Sequence, residues 1–186
     1  MIKPTLGATA PAEIYLNPGN FHFGGTDARI HTLLGSCVSI TLWHPVLRIG
    51  GMCHFMLPRR QQPETETAVL DGRYGDEAVQ MFQREIARFH TRPAEYQTKV
   101  FGGGNMFNAL REGKASVIGE RNITQARTLL QASGFGIHAE DVGGLGHRRV
   151  IFNLSNGDVW VRHEKTKVAP IVELPAALTC MANTDS

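Results

Sequence analysis

The sequence lacks the features that several broad classes of protein require. It has no uninterrupted apolar run of about 18 residues, so we expect no membrane-spanning helix and no membrane insertion. Residues 1–6 do not form the apolar stretch of a secretory signal. Nineteen Lys and Arg residues against seventeen Asp and Glu residues leave a net charge of +2. This near-neutral balance argues against a nucleic-acid partner, whose recognition needs clustered positive charge.

Cysteine is also scarce, with three residues in the chain. The odd number and the wide spacing exclude the disulfide framework of small secreted proteins. The sequence has neither a Cys-x-x-Cys nor a His-x-x-x-His pair, so we expect no zinc site. We therefore predict a cytoplasmic protein whose thiols stay reduced.

The length of 186 residues corresponds to about one domain. We expect a single domain over 1–186, with about 1–20 as a loosely ordered N-terminal arm and 175–186 as a loosely ordered tail. Within the arm and just after it, 14–16 and 21–23 are each expected to form an edge strand or an ordered arm. Runs rich in β-branched and apolar residues predict further strands over 30–34, 38–43, 48–57, 99–101, 117–119, 137–139, 149–154 and 158–162.

Helical periodicity predicts two main helices, over 76–89 and 122–133, because apolar residues recur there at spacings of three and four. Asn122 would be the N-cap of the second helix, and Gly134 would end it. Two helices with eight or more strands predict an α+β domain, a layered sandwich in which the helices cover a strand-rich core.

Cys37 follows a flexible Gly35-Ser36 pair between two predicted strands. Such a turn can lift the thiol out of a sheet and direct backbone N–H groups at one point, as a nucleophile and a developing oxyanion require. A free cysteine is nevertheless more often a small buried hydrophobe, and on composition alone that alternative is favoured.

His54 stands 17 residues after Cys37 in an otherwise apolar strand, where its ring needs a hydrogen-bond partner. A neighbouring strand would place it beside Cys37, where the imidazole would draw off the thiol proton. The alternative is a core histidine with a structural hydrogen bond. Cys53 alternates to the opposite strand face and is expected to pack in the core.

Five segments, in this order, together resemble the CheD family of chemoreceptor glutamine deamidases, and the likeness runs from about residue 21 to 162. They are LGSCV at 34–38, GMCHFMLP at 51–58, KVFGGG at 99–104, GERN at 119–122 and DVGG at 141–144. Each motif alone is weak, and a lone glycine cluster is more often structural. The ordered set reverses the preference for the structural alternatives at Cys37 and His54.

The resemblance implies hydrolysis of glutamine side-chain amides on the cytoplasmic helices of methyl-accepting chemotaxis receptors, without a metal or an organic cofactor. In that reading Cys37 is the nucleophile, His54 is the general base and acid, and Gly35 and Ser36 support the oxyanion. The resemblance also implies CheC, a phosphatase in chemotaxis signalling, as a partner. It further implies a layered fold similar to the deamidase domain of cytotoxic necrotizing factor toxins.

A third residue is expected to orient the imidazole. The family resemblance points to a threonine upstream of the cysteine, and Thr32 lies five residues before Cys37, whereas His31 lies six before it. We assign the role to Thr32 and keep His31 as the alternative. An alternative to catalysis is an adaptor that binds CheC or receptor helices while the cysteine site is idle.

Overall fold

The computed structural model describes residues 11–25, 27–61, 69–106 and 114–164, and over these residues the chain is an α+β protein with nine strands and two α-helices. The expected N-terminal arm contains a regular strand over 12–16, whereas 1–10 and the predicted tail at 175–186 lie outside the described residues. In chain order the elements are β1 (Ala12–Leu16), β2 (Phe21–Gly24), β3 (Ala28–Leu34), β4 (Val38–His44), β5 (Ile49–Cys53), α1 (Gly75–Arg88), β6 (Gln97–Gly102), α2 (Lys114–Ala132), β7 (Ile137–Val142), β8 (His147–Asn153) and β9 (Val159–Glu164).

The strands form two mixed sheets. One sheet has the order β1-β3-β8-β9, in which β1 and β3 run parallel and the other pairs are antiparallel. The other sheet has the order β2-β5-β4-β6-β7, in which β6 and β7 run parallel. Both edge strands predicted near the N-terminus are confirmed, since β1 borders one sheet and β2 borders the other.

Two apolar clusters divide the protein into three layers. The first joins α1 and α2 to one face of the five-stranded sheet, through residues such as Phe82 and Leu130. The second lies between the two sheets, where Ile30 and Phe152 of one sheet meet Met52 and Phe101 of the other. Because strand side chains alternate between faces, the five-stranded sheet is buried on both sides. The predicted layered arrangement with two covering helices is thereby confirmed.

Helix α1 agrees with its apolar pattern: Ala78, Val79, Phe82 and Ile86 are all buried against the sheet. Neither helix of the described ranges combines the length and hydrophobicity needed to cross a bilayer.

The prediction for α2 was wrong at its beginning. The segment 117–119, expected to be a strand, lies inside the helix, and Asn122 is an interior residue rather than the N-cap. Tertiary packing at the buried residues Gly119 and Asn122 overrides the strand propensity of the segment, in which Val117 itself is exposed. Gly119 allows this packing, since a Cβ atom there would lie 2.6 Å from the carbonyl oxygen of Gly103.

Candidate active site

The chain crosses from one sheet to the other at the segment that carries Cys37. Strand β3 ends at Leu34 in the four-stranded sheet and β4 begins at Val38 in the five-stranded sheet, so Gly35, Ser36 and Cys37 form the crossing. Cys37 is half-buried and packs against the apolar cluster between the sheets. Its thiol therefore lies at the rim of the inter-sheet layer, partly accessible from outside.

His54 follows β5 and lies on the same side of the five-stranded sheet as Cys37. Val38 and Phe55 exchange two backbone hydrogen bonds, of 3.0 and 2.9 Å, and thus form a directly opposed pair. In this register Cys37 and His54 are diagonal neighbours on one face, a relation that puts Cα atoms roughly 7–8 Å apart and allows long side chains to meet. The structure therefore places the two predicted residues on the same face of the sheet, without a hydrogen bond between the thiol and Nε2 of His54.

Thr32 joins the site from the opposite sheet. Its hydroxyl oxygen lies 2.8 Å from Nδ1 of His54 and 2.8 Å from the carbonyl oxygen of Leu16. The carbonyl can only accept, so the Thr32 hydroxyl donates to Leu16 and accepts the Nδ1–H of His54. This arrangement selects the tautomer in which Nε2 carries a lone pair. Nε2 is buried and makes no hydrogen bond within the described part of the chain.

His31, the alternative third residue, points away from the site. The burial of β3 alternates, so that Thr32 and Leu34 face the inter-sheet layer and His31 faces outward. The His31 ring bonds to the Glu13 carboxylate and stacks on Tyr15, with ring centroids 4.8 Å apart. Its position on the outward face of β3 separates His31 from Thr32 and His54.

Burial keeps both Cys37 and His54 uncharged. Desolvation raises the pKa of the Cys37 thiol, although the backbone N–H of the same residue opposes the rise. Desolvation also lowers the pKa of His54, opposed by the Leu16 carbonyl. At neutral pH the pair is therefore a thiol and a neutral imidazole, as proton transfer from sulfur to Nε2 requires. Cys53, in contrast, is fully buried in the core, which raises its pKa to about 12. The predicted packing role of Cys53 is confirmed.

All three carbonyl groups of the crossing segment are held by hydrogen bonds. The backbone N–H of Gly104 donates to Gly35 at 2.8 Å, and that of Gly103 donates to Cys37 at 2.7 Å. The side-chain amide of Asn122 donates to Ser36 at 3.0 Å. The backbone N–H groups of Ser36 and Cys37, however, donate to no other described residue, although the N–H of Cys37 lies close to the sulfur of its own side chain. The glycine cluster at 102–104 thus stabilises the crossing segment through two backbone hydrogen bonds.

Two buried residues of this region were missed as parts of the site. Asn122, expected at a helix cap, is fully buried in α2. Arg148 is 2% exposed and forms an ion pair with Asp141 at 2.9 Å. The signal for Asn122 was a polar residue at a core-facing position of the helical repeat. Arg148 carried no such signal, since its burial follows from strand pairing opposite Leu34.

A groove of about 930 Å³ lies beside α2, and its lining includes neither the crossing segment nor His54. It runs between α2 and the chain that follows His54, and its wall carries both apolar and charged side chains. These side chains include Leu57, Arg59, Tyr74, Glu120 and Arg121. Among the described residues, no three His, Cys, Asp or Glu side chains gather as metal ligands would.

Comparison with known proteins identifies relatives along most of the chain. The family model described as CheD chemotactic sensory transduction matches residues 56–163. A Dechloromonas aromatica protein named "Probable chemoreceptor glutamine deamidase CheD 3" is 53% identical over 149 residues, 80% of this chain and 86% of that protein. The Pseudomonas savastanoi pv. phaseolicola protein named "Probable chemoreceptor glutamine deamidase CheD" is 49% identical over 157 residues, 82% of this chain and 85% of that protein.

Among solved structures, the crystal structure of Bacillus licheniformis hypothetical protein YfiH matches with a TM-score of 0.38 and 13% identity, covering 64% of this chain and 49% of that one. This likeness is too low to carry an argument about fold or function. The family model and the relatives, by contrast, extend over more than half of the chain at high identity. The chain belongs to the CheD family.

Proposed function

We propose that the protein is a cysteine-dependent deamidase that converts glutamines of chemoreceptors to glutamates and releases ammonia. Family membership and the names of the relatives support the substrate class. The observation that carries the chemistry is the bond between Thr32 and His54, because it leaves Nε2 as a free base on the face that Cys37 shares. No cofactor takes part in the proposed reaction.

The first half of the reaction forms a thioester. Nε2 of His54 accepts the thiol proton of Cys37, and the resulting thiolate attacks the carbonyl carbon of the glutamine side chain. A C–S bond forms and the carbonyl electron pair moves to oxygen. The backbone N–H groups of Ser36 and Cys37 donate to this oxyanion, since no other described residue accepts a hydrogen bond from them. The imidazolium then protonates the amide nitrogen, the C–N bond breaks, and ammonia departs.

The second half consumes one water molecule. Nε2, again neutral, removes a proton from water while the hydroxide oxygen attacks the thioester carbon. The C–S bond breaks, the thiolate takes back the proton from the imidazolium, and glutamate is released. Thr32 keeps the same tautomer ready in both halves, because its bond to Nδ1 does not change. Thr32 thus acts as the residue that orients the imidazole.

The groove beside α2 supports a helical substrate. Leu57 and Tyr74 offer apolar contacts, while Arg59, Glu120 and Arg121 offer charges to a polar helix face. We propose that a cytoplasmic receptor helix contacts this groove while one of its glutamines reacts at Cys37. The same proposal places the protein in the cytoplasm as a single deamidase domain. It extends to CheC as a partner and to a fold similar to that of the cytotoxic necrotizing factor deamidase domain.

The direct test is incubation of the protein with a chemoreceptor cytoplasmic fragment in ¹⁸O-labelled water, followed by peptide mass spectrometry. Wild-type protein is expected to convert individual glutamines to glutamates that carry one heavy oxygen. Cys37→Ala should abolish this conversion, whereas Cys53→Ala, the matched change at the other described cysteine, should retain it. Equal conversion by wild type and Cys37→Ala would reject catalysis and favour the non-catalytic adaptor.

A further inference from the structure

Asn122 links α2 to both halves of the candidate site. Its side-chain nitrogen donates to the carbonyl of Ser36 at 3.0 Å and to the carbonyl of Met56 at 2.8 Å. Ser36 precedes the nucleophile by one residue, and Met56 follows His54 by two. Asn122 is fully buried, and no other side chain among the described residues is bonded to the crossing segment.

The bond to Ser36 has a geometric consequence for Cys37. In a planar trans peptide the carbonyl of one residue and the N–H of the next point in opposite directions. Holding the Ser36 carbonyl toward α2 therefore aims the Cys37 N–H away from α2. That N–H already lies where it stabilises the thiolate of its own residue. The direction of the amide beside the sulfur is thus set by the side chain of Asn122.

The orientation of the Asn122 amide is itself forced. Both hydrogens of Nδ2 are used by two carbonyl oxygens, and a flipped side chain would place Oδ1 against those same oxygens. Oδ1 is buried and accepts no hydrogen bond within the described residues. Asparagine is a poor residue for a helix interior. Its presence there, with one polar atom left unsatisfied, is explained by the two carbonyls that it holds.

We infer that Asn122 is a positioning residue that fixes the Ser36–Cys37 peptide so that the Cys37 N–H donates to the reaction's oxyanion. The inference rests on the proposed function for its biological meaning. The positioning role itself applies to any reaction in which the Cys37 sulfur attacks a carbonyl group, because only such a reaction forms an oxyanion.

The test compares two reactions of the same sulfur. Acylation of Cys37 by p-nitrophenyl acetate passes through a tetrahedral oxyanion, whereas alkylation by iodoacetamide displaces iodide and forms none. Both rates are measured for wild type, Asn122→Ala and Asn122→Asp, with Cys37→Ala as the blank. We expect the Asn122 variants to lose about 10²-fold in acylation, comparable to the loss of one oxyanion donor, while alkylation changes by less than about twofold.

Two controls separate this role from a general loosening of the protein. Leu130→Ala removes a buried side chain from the same helix, away from the crossing segment, and should leave the ratio of the two rates unchanged. Alkylation of the fully buried Cys53 reports unfolding, so rates are compared for variants in which Cys53 stays as slow as in wild type. Asn122→Asp keeps the shape of the side chain where Asn122→Ala leaves a cavity.

Each outcome bears on one hypothesis. If acylation and alkylation fall together, or if acylation does not fall, Asn122 does not position the oxyanion donor and the inference is overturned. If the ratio falls as expected but wild type fails to deamidate a receptor fragment, the inference holds and the proposed substrate is wrong.

Discussion

The hydroxyl of Thr32 lies between two acceptor-capable groups, 2.8 Å from Nδ1 of His54 and 2.8 Å from the carbonyl oxygen of Leu16. A hydroxyl has one hydrogen, and the carbonyl takes it, so the imidazole must donate. This hydrogen bond therefore joins the two sheets and determines which nitrogen of His54 carries the hydrogen. Thr32 belongs to one sheet, and His54 follows a strand of the other.

Thr32→Val tests whether this bond matters for the reaction. Valine keeps the shape of the side chain but cannot accept the Nδ1–H, so the imidazole loses its fixed tautomer. We expect kcat for deamidation to fall by about 10²-fold, at the lower end of the range attributed to general acid–base catalysis. The free energy of unfolding should fall by about 1 kcal/mol, because a buried hydrogen-bonded group is lost. Thr32→Ser keeps the hydroxyl and should retain most of the activity. Equal activity of the valine variant and wild type would contradict the assignment.

The two described cysteines should differ strongly in reactivity. Cys37 is half-buried on the face that it shares with His54, whereas Cys53 is fully buried with its pKa raised to about 12. We expect iodoacetamide at pH 7.5 to modify Cys37 well before Cys53, as followed by peptide mass spectrometry. His54→Ala should slow Cys37 alone, because burial raises the pKa of its thiol and the nearby base is gone. Unchanged Cys37 reactivity in that variant would show that the imidazole does not assist the thiol.

Activity and stability should both weaken in acid, for a shared reason. Burial lowers the pKa of His54, so the folded protein keeps a neutral imidazole below pH 6.5, where an exposed histidine takes up a proton. The acid limb of kcat/KM should accordingly have its midpoint below about 6.5.

The stability effect has a definite sign. Below about pH 6.5 the unfolded chain binds a proton at residue 54 before the folded chain does, so the free energy of unfolding falls as the pH falls. Urea unfolding at pH 7.5 and 5.5 measures this loss, and His54→Gln should show a smaller one. His22 has a lowered pKa for the same reason, so it contributes to the loss in both proteins. An equal loss in both proteins would mean that His54 titrates normally in the folded state.

The sequence predicted those parts of the site that depend on local pattern. The apolar repeat located α1, and the motifs around Cys37 and His54 selected two residues that the strand register brings onto one face. What it did not predict depends on contacts between distant segments. The crossing between sheets after Leu34 follows from strand pairing, and Thr32 was assigned with His31 still open because the face of β3 that meets the other sheet is set by packing. Strand alternation alone could separate Thr32 from His31, but it could not say which face meets His54.

The predicted beginning of α2 was wrong for a related physical reason. The packing there leads to a prediction about stability that is opposite to the one that helix propensity alone would give. In a helix interior alanine is more favourable than glycine by about 1 kcal/mol. At position 119, however, an added Cβ atom would lie 2.6 Å from the backbone oxygen of Gly103. Gly103 cannot easily move, because its own N–H holds the Cys37 carbonyl and its φ of +64° suits glycine.

We therefore expect Gly119→Ala to destabilise the protein by about 1–3 kcal/mol, as overpacking does, and to reduce deamidation more than unfolding alone explains. The reduction follows because displacement of Gly103 disturbs the segment that carries the nucleophile. Thr128→Ala, an exposed change in the same helix, should alter stability by less than about 0.5 kcal/mol and leave activity intact. Thermal unfolding and the receptor-fragment assay measure the two effects. A stabilised and fully active Gly119→Ala variant would show that α2 does not rest on the glycine cluster, and support for the crossing segment would have to come from elsewhere.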